Sequence, residues 1–86
     1  MEIHYFAAAR AARGKSMEQR DRVPETLEEL LAELRAEAPQ ENSSEEMGLA
    51  DVLEQCSFLL DGEKAQLHAG LAGVKRVDIL PPFAGG

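Results

Sequence analysis

The segment from Thr26 to Leu34 constrains the fold most, because its leucines have the spacing of one buried face of an α-helix. They recur at positions i, i+3, i+4 and i+7 and are Leu27, Leu30, Leu31 and Leu34. Thr26 can cap the helix, and Glu29 three residues later completes a capping box. Pro39 ends the pattern. The sequence therefore predicts a helix that packs its leucine face against another layer.

The residues before this helix predict two strands. Glu2 to Phe6 mixes aromatic and branched residues with polar ones, which is typical of a strand. We expect residues 7–14 to form a loop or a short turn of helix. Ser16 to Val23 is predicted to pair back as a second strand. Its mostly polar composition fits an exposed edge of a sheet, or a loop.

A second, shorter helix is predicted after the polar stretch of residues 40–46. Ser43 and Glu46 form a possible capping box before it. Its apolar residues lie close to one helical stripe, with Leu49 nearby, and are Met47, Val52, Leu53 and Cys56. Gly48 weakens this helix, because glycine is a poor helix former.

The last third of the chain predicts three strands. Ser57 to Leu60 is apolar and is followed by Asp61-Gly62, a strong hairpin signal, so residues 63–67 can return as its partner. Residues 68–73 contain two glycines, Gly70 and Gly73, and predict a loop. Arg76 to Leu80 predicts the final strand, which the following prolines end.

This order of elements predicts an α+β architecture. Strands come first and last with one main helix between them, which favours a mixed sheet of about five strands with the main helix packed across one face and a short second helix. We expect residues 1–80 to form a single domain and residues 81–86 to form a flexible tail.

Composition narrows the classes of function. The formal net charge is −7, with 16 acidic residues against 9 lysines and arginines, which argues against nucleic-acid binding. We expect no membrane partner, because no apolar run approaches the roughly 20 residues of a membrane span. A single cysteine, Cys56, excludes an internal disulfide and fits a reducing compartment. Together with the lack of a signal-peptide pattern, this predicts a cytoplasmic protein.

The final six residues of the sequence predict the functional site. They are Pro81, Pro82, Phe83, Ala84, Gly85 and Gly86. The prolines favour an extended backbone, and the glycines can pass through a channel too narrow for a Cβ atom. Six extended residues span about 20 Å. We expect this tail to present the α-carboxylate of Gly86 to a partner, with Phe83 as a docking anchor. A frayed terminus without function is the alternative.

The remaining residues with reactive side chains favour structural roles. Cys56 lies on an apolar stripe without a basic neighbour that would lower the pKa of its thiol, which favours core packing over a role as a reactive thiol. His4 and His68 do not have metal-ligand spacing. Glu25, Glu28 and Glu29 fit the electrostatics of a helix start better than catalysis. Thus none of these residues is a stronger candidate for the functional site than the tail.

Three blocks of sequence carry a resemblance to a known family. They are Tyr5-Phe6-Ala7 with Arg10 and Gly14, the helix start at residues 24–30, and residues 77–86. In these blocks the chain resembles the small subunits of molybdopterin synthase, which are ubiquitin-like β-grasp sulfur carriers of the MoaD/ThiS family. It departs from their pattern at residues 73–76, which lack the usual Gly-Asp turn, and in a long acidic connection before the hairpin.

The resemblance implies a cycle in which Gly86 carries sulfur. A ubiquitin-activating-type adenylyltransferase would use ATP and Mg²⁺ to adenylate the Gly86 carboxylate, because an ionised carboxylate is a poor acyl donor. A sulfur donor enzyme would then convert Gly86 to a thiocarboxylate. This chain has no nucleotide motif, so we expect it to bind no cofactor itself.

The resemblance also implies the acceptor and the assembly. The thiocarboxylate would enter the large subunit of molybdopterin synthase, in a heterotetramer, and give its sulfur to the pyranopterin precursor of the dithiolene. Residues 81–85 would bind the partners. Three alternatives stay open: a carrier for thiazole or cysteine synthesis, a ubiquitin-like modifier joined to lysines through Gly86, and an interaction domain whose tail has no role.

Overall fold

The computed structural model describes residues 1–37 and 49–82. Within these ranges the chain forms five strands and three helices: β1 (Glu2–Tyr5), α1 (Ala7–Arg13), β2 (Met17–Gln19), α2 (Leu27–Glu37), α3 (Leu49–Gln55), β3 (Ser57–Leu60), β4 (Glu63–Ala65) and β5 (Arg76–Leu80). The second capping box predicted at Ser43 and Glu46, and Met47, lie outside the described residues.

The strands form one mixed sheet, as the sequence predicted. Their spatial order is β2-β1-β5-β3-β4. The central strands β1 and β5 are parallel, with Ile3 beside Val77 and Tyr5 beside Ile79. The other neighbouring pairs are antiparallel. The most buried strand, β5, thus lies in the middle of the sheet, and the polar strands β2 and β4 lie at its edges.

α2 buries its leucine face in the core, which confirms the helical pattern. All four predicted leucines are buried with at most 1 % of their surface exposed. They belong to a core cluster that also contains side chains from the sheet, from the two shorter helices and from the loop after β4. The members from β1 and β5 are Ile3, Tyr5, Val77 and Ile79. The helix and the sheet therefore enclose a single apolar layer.

The N-terminus of α2 is fixed by both its cap and the loop after β4. The Glu29 N–H donates to Thr26 Oγ1 at 3.2 Å, and the Glu29 carboxylate accepts from the Glu25 N–H at 2.9 Å. The N–H groups of Leu27 and Glu28 donate to carbonyls of the loop at 3.0 and 2.8 Å. These bonds satisfy donors that a helix start leaves free.

Two elements near the N-terminus differ from the sequence expectation. Residues 7–13 form a seven-residue helix rather than a loop or a single turn. Gly14 ends it in the left-handed region at φ 85°, where its N–H donates to the Arg10 carbonyl. The second strand, predicted over residues 16–23, is limited to Met17–Gln19. A polar edge segment offers little side-chain burial to extend the pairing.

The Asp61-Gly62 hairpin is confirmed, and it also holds β5. Both residues have positive φ, 49° and 86°, as a two-residue hairpin turn of type I′ requires. The Asp61 carboxylate accepts from the N–H groups of Lys75 and Arg76 at 3.0 and 2.9 Å. The turn before the last strand is therefore stabilised by a side chain from the neighbouring hairpin.

Candidate functional site

The point where the chain leaves the sheet is the root of the predicted tail. β5 ends at Leu80, which pairs with Ser57 at the start of β3. On the other side the Phe6 N–H donates to the Ile79 carbonyl at 3.3 Å. Pro81 is buried and Pro82 is exposed. The body of the protein therefore holds the backbone up to Pro81, at the middle of one end of the sheet.

Of the six predicted site residues, the structure describes the two prolines. The other four lie outside the described residues and are Phe83, Ala84, Gly85 and Gly86. The position of the tail root is set by the parallel pairing of β1 with β5, which directs the end of β5 toward the start of α1.

The sheet face opposite α2 carries apolar side chains next to the tail root. One row of cross-strand neighbours crosses this face in the order Met17, His4, Asp78, Leu59 and Lys64. Leu80 and Phe6 lie in the next row by strand alternation. Phe6, Leu59 and Leu80 are half-buried and lie outside the core cluster. We call the surface formed by Phe6, Met17, Leu59 and Leu80 the open face.

Polar groups in the centre of this surface are paired with one another. Arg76 Nε donates to Asp78 Oδ1 at 2.7 Å, and Asp78 is only 8 % exposed. His4 Nε2 lies 2.9 Å from Glu2 Oε1. This hydrogen bond is the main cause of a lowered pKa of Glu2. Because these central groups are paired, the open face suits docking against a partly apolar partner surface.

Cys56 lies close to the tail root but has the properties of a packing residue. It directly precedes Ser57, the residue that pairs with Leu80. Burial raises the pKa of its thiol to about 11. The Sγ–H donates to the Val52 carbonyl at 3.1 Å. At neutral pH this group is a protonated thiol, which is a weak nucleophile, so the geometry favours packing over sulfur relay.

A charged cluster joins α1, β2 and α2, and the sequence analysis did not identify it. Arg13 Nη2 donates to both carboxylate oxygens of Glu18 at 3.0 Å and to Glu37 Oε1 at 2.9 Å. The Tyr5 hydroxyl also donates to Glu18. Arg20 donates to Glu37. In the sequence, the one sign of this cluster was the polar composition of β2. This strand carries the carboxylate of Glu18 on the side that faces the core.

The electrostatics of this cluster favour a structural role. Partial burial opposes ionisation of Glu18, but hydrogen bonds from Tyr5, Arg13 and Lys15 outweigh it and lower the pKa of Glu18 to about 2. Burial, together with the bond to Glu18, raises the pKa of Tyr5 above its ordinary range. A carboxylate and a phenol held in these states do not exchange protons near neutral pH.

Within residues 1–37 and 49–82, no group of three or more histidine, cysteine or acidic side chains is placed to hold a metal ion. None of the helices described there is long and apolar enough to cross a membrane.

Comparison with known proteins decides the family. The sequence model of the ThiS family matches residues 3–86. The chain belongs to the ThiS family. It is therefore related to the ubiquitin-like sulfur carriers of the MoaD/ThiS type, the broader group to which its sequence blocks pointed.

A solved structure confirms the fold. The crystal structure of SAMP1 from Haloferax volcanii is similar over 100 % of this chain and 98 % of that chain, with a TM-score of 0.69 at 22 % identity. The α+β, ubiquitin-like β-grasp expectation is thus confirmed, with α1 as an additional short helix. The search of curated proteins found no match.

Proposed function

We propose that this ThiS-family protein is the sulfur carrier subunit of molybdopterin synthase, with Gly86 as the residue that carries sulfur. The observation that carries the proposal is the tail root. A central strand, anchored on both sides, ends beside an apolar open face and leads directly into Pro-Pro-Phe-Ala-Gly-Gly. A carrier needs this combination, because the body must dock while the terminal carboxylate enters another enzyme.

The chemistry of the tail requires a partner at each step. The Gly86 carboxylate attacks the α-phosphate of ATP on an adenylyltransferase, which releases pyrophosphate and uses Mg²⁺ there. A sulfur nucleophile at the oxidation level of sulfide, supplied by a donor enzyme, then attacks the Gly86 carbonyl carbon, displaces AMP and leaves the thiocarboxylate. Transfer to the pyranopterin precursor occurs in the large subunit of the synthase. Because a dithiolene contains two sulfurs, each product consumes two loaded carriers.

Residues 81–85 are assigned to partner binding in this proposal. Phe83 is the apolar anchor of the segment, because Ala84 and the glycines offer little apolar area. Extended backbone contributes hydrogen bonds to the walls of the partner's channel. Gly85 has no Cβ, so the last peptide unit fits a narrow passage.

The deciding experiment is the intact mass of the protein isolated from its native cells. If Gly86 carries a thiocarboxylate, we expect a species heavier than the unmodified chain by the mass difference between sulfur and oxygen. The same measurement checks that Gly86 is the terminal residue. A ubiquitin-like modifier would instead give larger adducts linked to lysines of other proteins. Adducts without the thiocarboxylate species would overturn the carrier function.

Variants of the terminus test the same proposal in a reconstituted assay. Deleting Gly86 should abolish molybdopterin formation, and Gly85→Ala should impair it, because the added methyl crowds the passage and restricts the backbone. The melting temperature should stay near that of the parent, since the core cluster described among residues 1–37 and 49–82 is formed by residues that precede the tail. A protein lacking Gly86 that still supports molybdopterin formation would contradict the proposal. Formation of a thiocarboxylate without molybdopterin would favour a carrier for thiazole or cysteine synthesis.

A further inference from the structure

In the part of the chain that the structure describes, a groove of about 730 Å³ lies between the helices α2 and α3 and the strands β3 and β4, on the opposite side of the sheet from the open face. Its apolar floor consists of the core side chains Leu31, Leu53 and Phe58. Leu67 also lines it and is 43 % exposed. We call this depression the β3–β4 groove. It offers apolar surface that a further apolar side chain can cover.

The described side chains that line the groove carry little net charge. Arg35 and Glu54 both line it, and their charges oppose each other. Lys64 also lines it, but Lys64 pairs with Leu59 of the open face, so strand alternation places its side chain on the other side of the sheet. The groove therefore suits an apolar, uncharged occupant.

The groove lies at the same end of the sheet as the tail root. Ser57, the first residue of β3, lines the groove and pairs with Leu80, the last residue of β5. Leu67 and His68 follow the end of β4 and line the groove from its far side. Because β3 is antiparallel to both β4 and β5, the start of β3 lies beside the ends of the other two strands. The chain therefore leaves the sheet one strand away from the groove.

Strand alternation directs the tail toward the groove side of the sheet. Ile79 belongs to the core, whereas Leu80 belongs to the open face. Pro81 is buried, as expected of a residue that continues the alternation onto the core side. The two prolines favour an extended backbone, so we expect Phe83 on the same side as Pro81 and opposite the open face.

The tail matches the groove in reach and in chemistry. Three extended residues from Leu80 span about 10 Å. Neighbouring strands are about 4.8 Å apart, so the start of β3 and the end of β4 both lie within this distance of the end of β5. Phe83 is the one aromatic residue after Leu80 in the sequence, and no residue from 81 to 86 has a charged side chain.

We propose that Phe83, which itself lies outside the described residues, docks in the β3–β4 groove of its own chain when no partner holds the tail. Its ring covers Leu67 and the apolar floor, because burying an aromatic side chain removes about 150–250 Å² from water. The tail exchanges between a docked and a presented state, both of them populated. A contact of this kind adds little to the free energy of unfolding, and it does not depend on the sulfur chemistry of Gly86.

In the proposed function, docking regulates access to the tail. Only the presented tail can enter a partner's channel, so the apparent affinity for each partner falls with the fraction of tails presented. This consequence rests on the proposed function, whereas the contact itself is tested on the free protein. A failure of docking would leave the sulfur carrier function untouched.

Nuclear Overhauser effects (NOEs) in the free, full-length protein, labelled with ¹³C and ¹⁵N, test the inference. We expect NOEs from the ring protons of Phe83 to the methyl groups of Leu53 and Leu67, with intensities that do not change when the protein is diluted. NOEs from the ring to the open face, or none to the body of the protein, would overturn it. So would NOEs that weaken on dilution, which indicate the tail of a second copy, and NOEs that place residues 38–48 in the groove.

Variants of the tail test the contact from one side. Phe83→Ala should shift the amide signals of residues 56–58 and 66–68, because the ring leaves the groove. Phe83→Leu keeps an apolar side chain and should shift these signals less. Amide signals of the groove that are the same in Phe83→Ala and in the parent would refute docking.

Variants of the body test the contact from the other side. Leu67→Glu places a charge in the apolar contact and should weaken the NOE from Phe83 to Leu53 roughly fivefold or more. Met17→Glu introduces the same charge at an apolar residue of the open face that is 46 % exposed, and should leave this NOE within about twofold of the parent. Thermal melts check that both variants are folded. A folded Leu67→Glu protein with the parent's NOE would refute docking at this groove.

Discussion

At the scale of single residues, Glu18 shows how a charged side chain stabilises an edge strand. It pairs across the sheet with the buried Ile3, so it faces the layer between sheet and helices. Its carboxylate side chain is 13 % exposed and accepts hydrogen bonds from Tyr5, Arg13 and Lys15. An inward-facing charge that is satisfied within the protein also discourages pairing of this edge with other chains.

The lowered pKa of Glu18 predicts a loss of stability in acid. Its pKa falls from 4.5 to about 2 on folding, so its contribution is complete above pH 4.5 and is lost as the pH falls toward 2. After allowance for solvent screening, the contribution is on the order of 2 kcal/mol. Chemical denaturation at a series of pH values should show this slope, and Glu18→Gln should flatten it.

Glu37→Gln serves as the comparison for this prediction. It removes a carboxylate of the same cluster from a side chain that is 43 % exposed, so it should flatten the acid slope less than Glu18→Gln. A Glu18→Gln protein whose free energy of unfolding follows the parent's pH dependence would show that Glu18 is not the group responsible.

At the scale of elements, α2 supplies the largest block of the core. Its four leucines are contiguous on one face and are almost fully buried. The loop after β4 satisfies the first N–H groups of this helix, so the helix start is fixed to the sheet as well as packed on it. The stability of the domain therefore depends strongly on the packing of this one element.

Leu30→Ala or Leu34→Ala should lower the free energy of unfolding by roughly 2–5 kcal/mol, because each leaves a cavity in a closely packed core. Both leucines are 0 % exposed. Urea denaturation measures the effect. Leu67→Ala removes the same atoms from a side chain that is 43 % exposed and should cost about 1 kcal/mol or less. Core variants as stable as the parent would mean that the leucine face does not carry the stability.

At the scale of the whole molecule, the open face and the tail root lie at the same end of the sheet. Leu80 belongs to the open face and is the last residue of β5. Pro81 is buried directly after it, so the start of the tail has a fixed position relative to that surface. In the proposed function, a partner that docks on the open face therefore receives the tail at a defined point.

If the proposed function is correct, Leu59→Glu on the open face and Phe83→Ala on the tail should each weaken binding to its two proposed partners, the adenylyltransferase and the synthase large subunit, by about 1–3 kcal/mol. The first places a charge in an apolar contact, and the second removes the proposed anchor. Titration calorimetry with each partner measures both effects, and melts of the free variants serve as the control. Unchanged affinities for either variant would remove that residue from the docking surface. A large fall in melting temperature for Phe83→Ala would mean instead that Phe83 packs on the body of the protein.

The sequence by itself determined the elements whose signals are local. The spacing of the α2 leucines, the Thr26 cap and the Asp61-Gly62 turn each depend on residues close together in the chain, and all appear in the structure as predicted. The tail was predicted for the same reason, because its proline and glycine pattern is contiguous. The family followed from such blocks.

Tertiary structure alone decided which of these elements meet. The parallel pairing of β1 with β5, residues separated by more than 70 positions, sets the place of the tail root. The cluster of Glu18 with Arg13 and Glu37 arises where separate elements converge. Local spacing cannot encode these contacts, because they depend on the order of the strands in the sheet. That order is selected by the burial of the whole apolar face of the sheet.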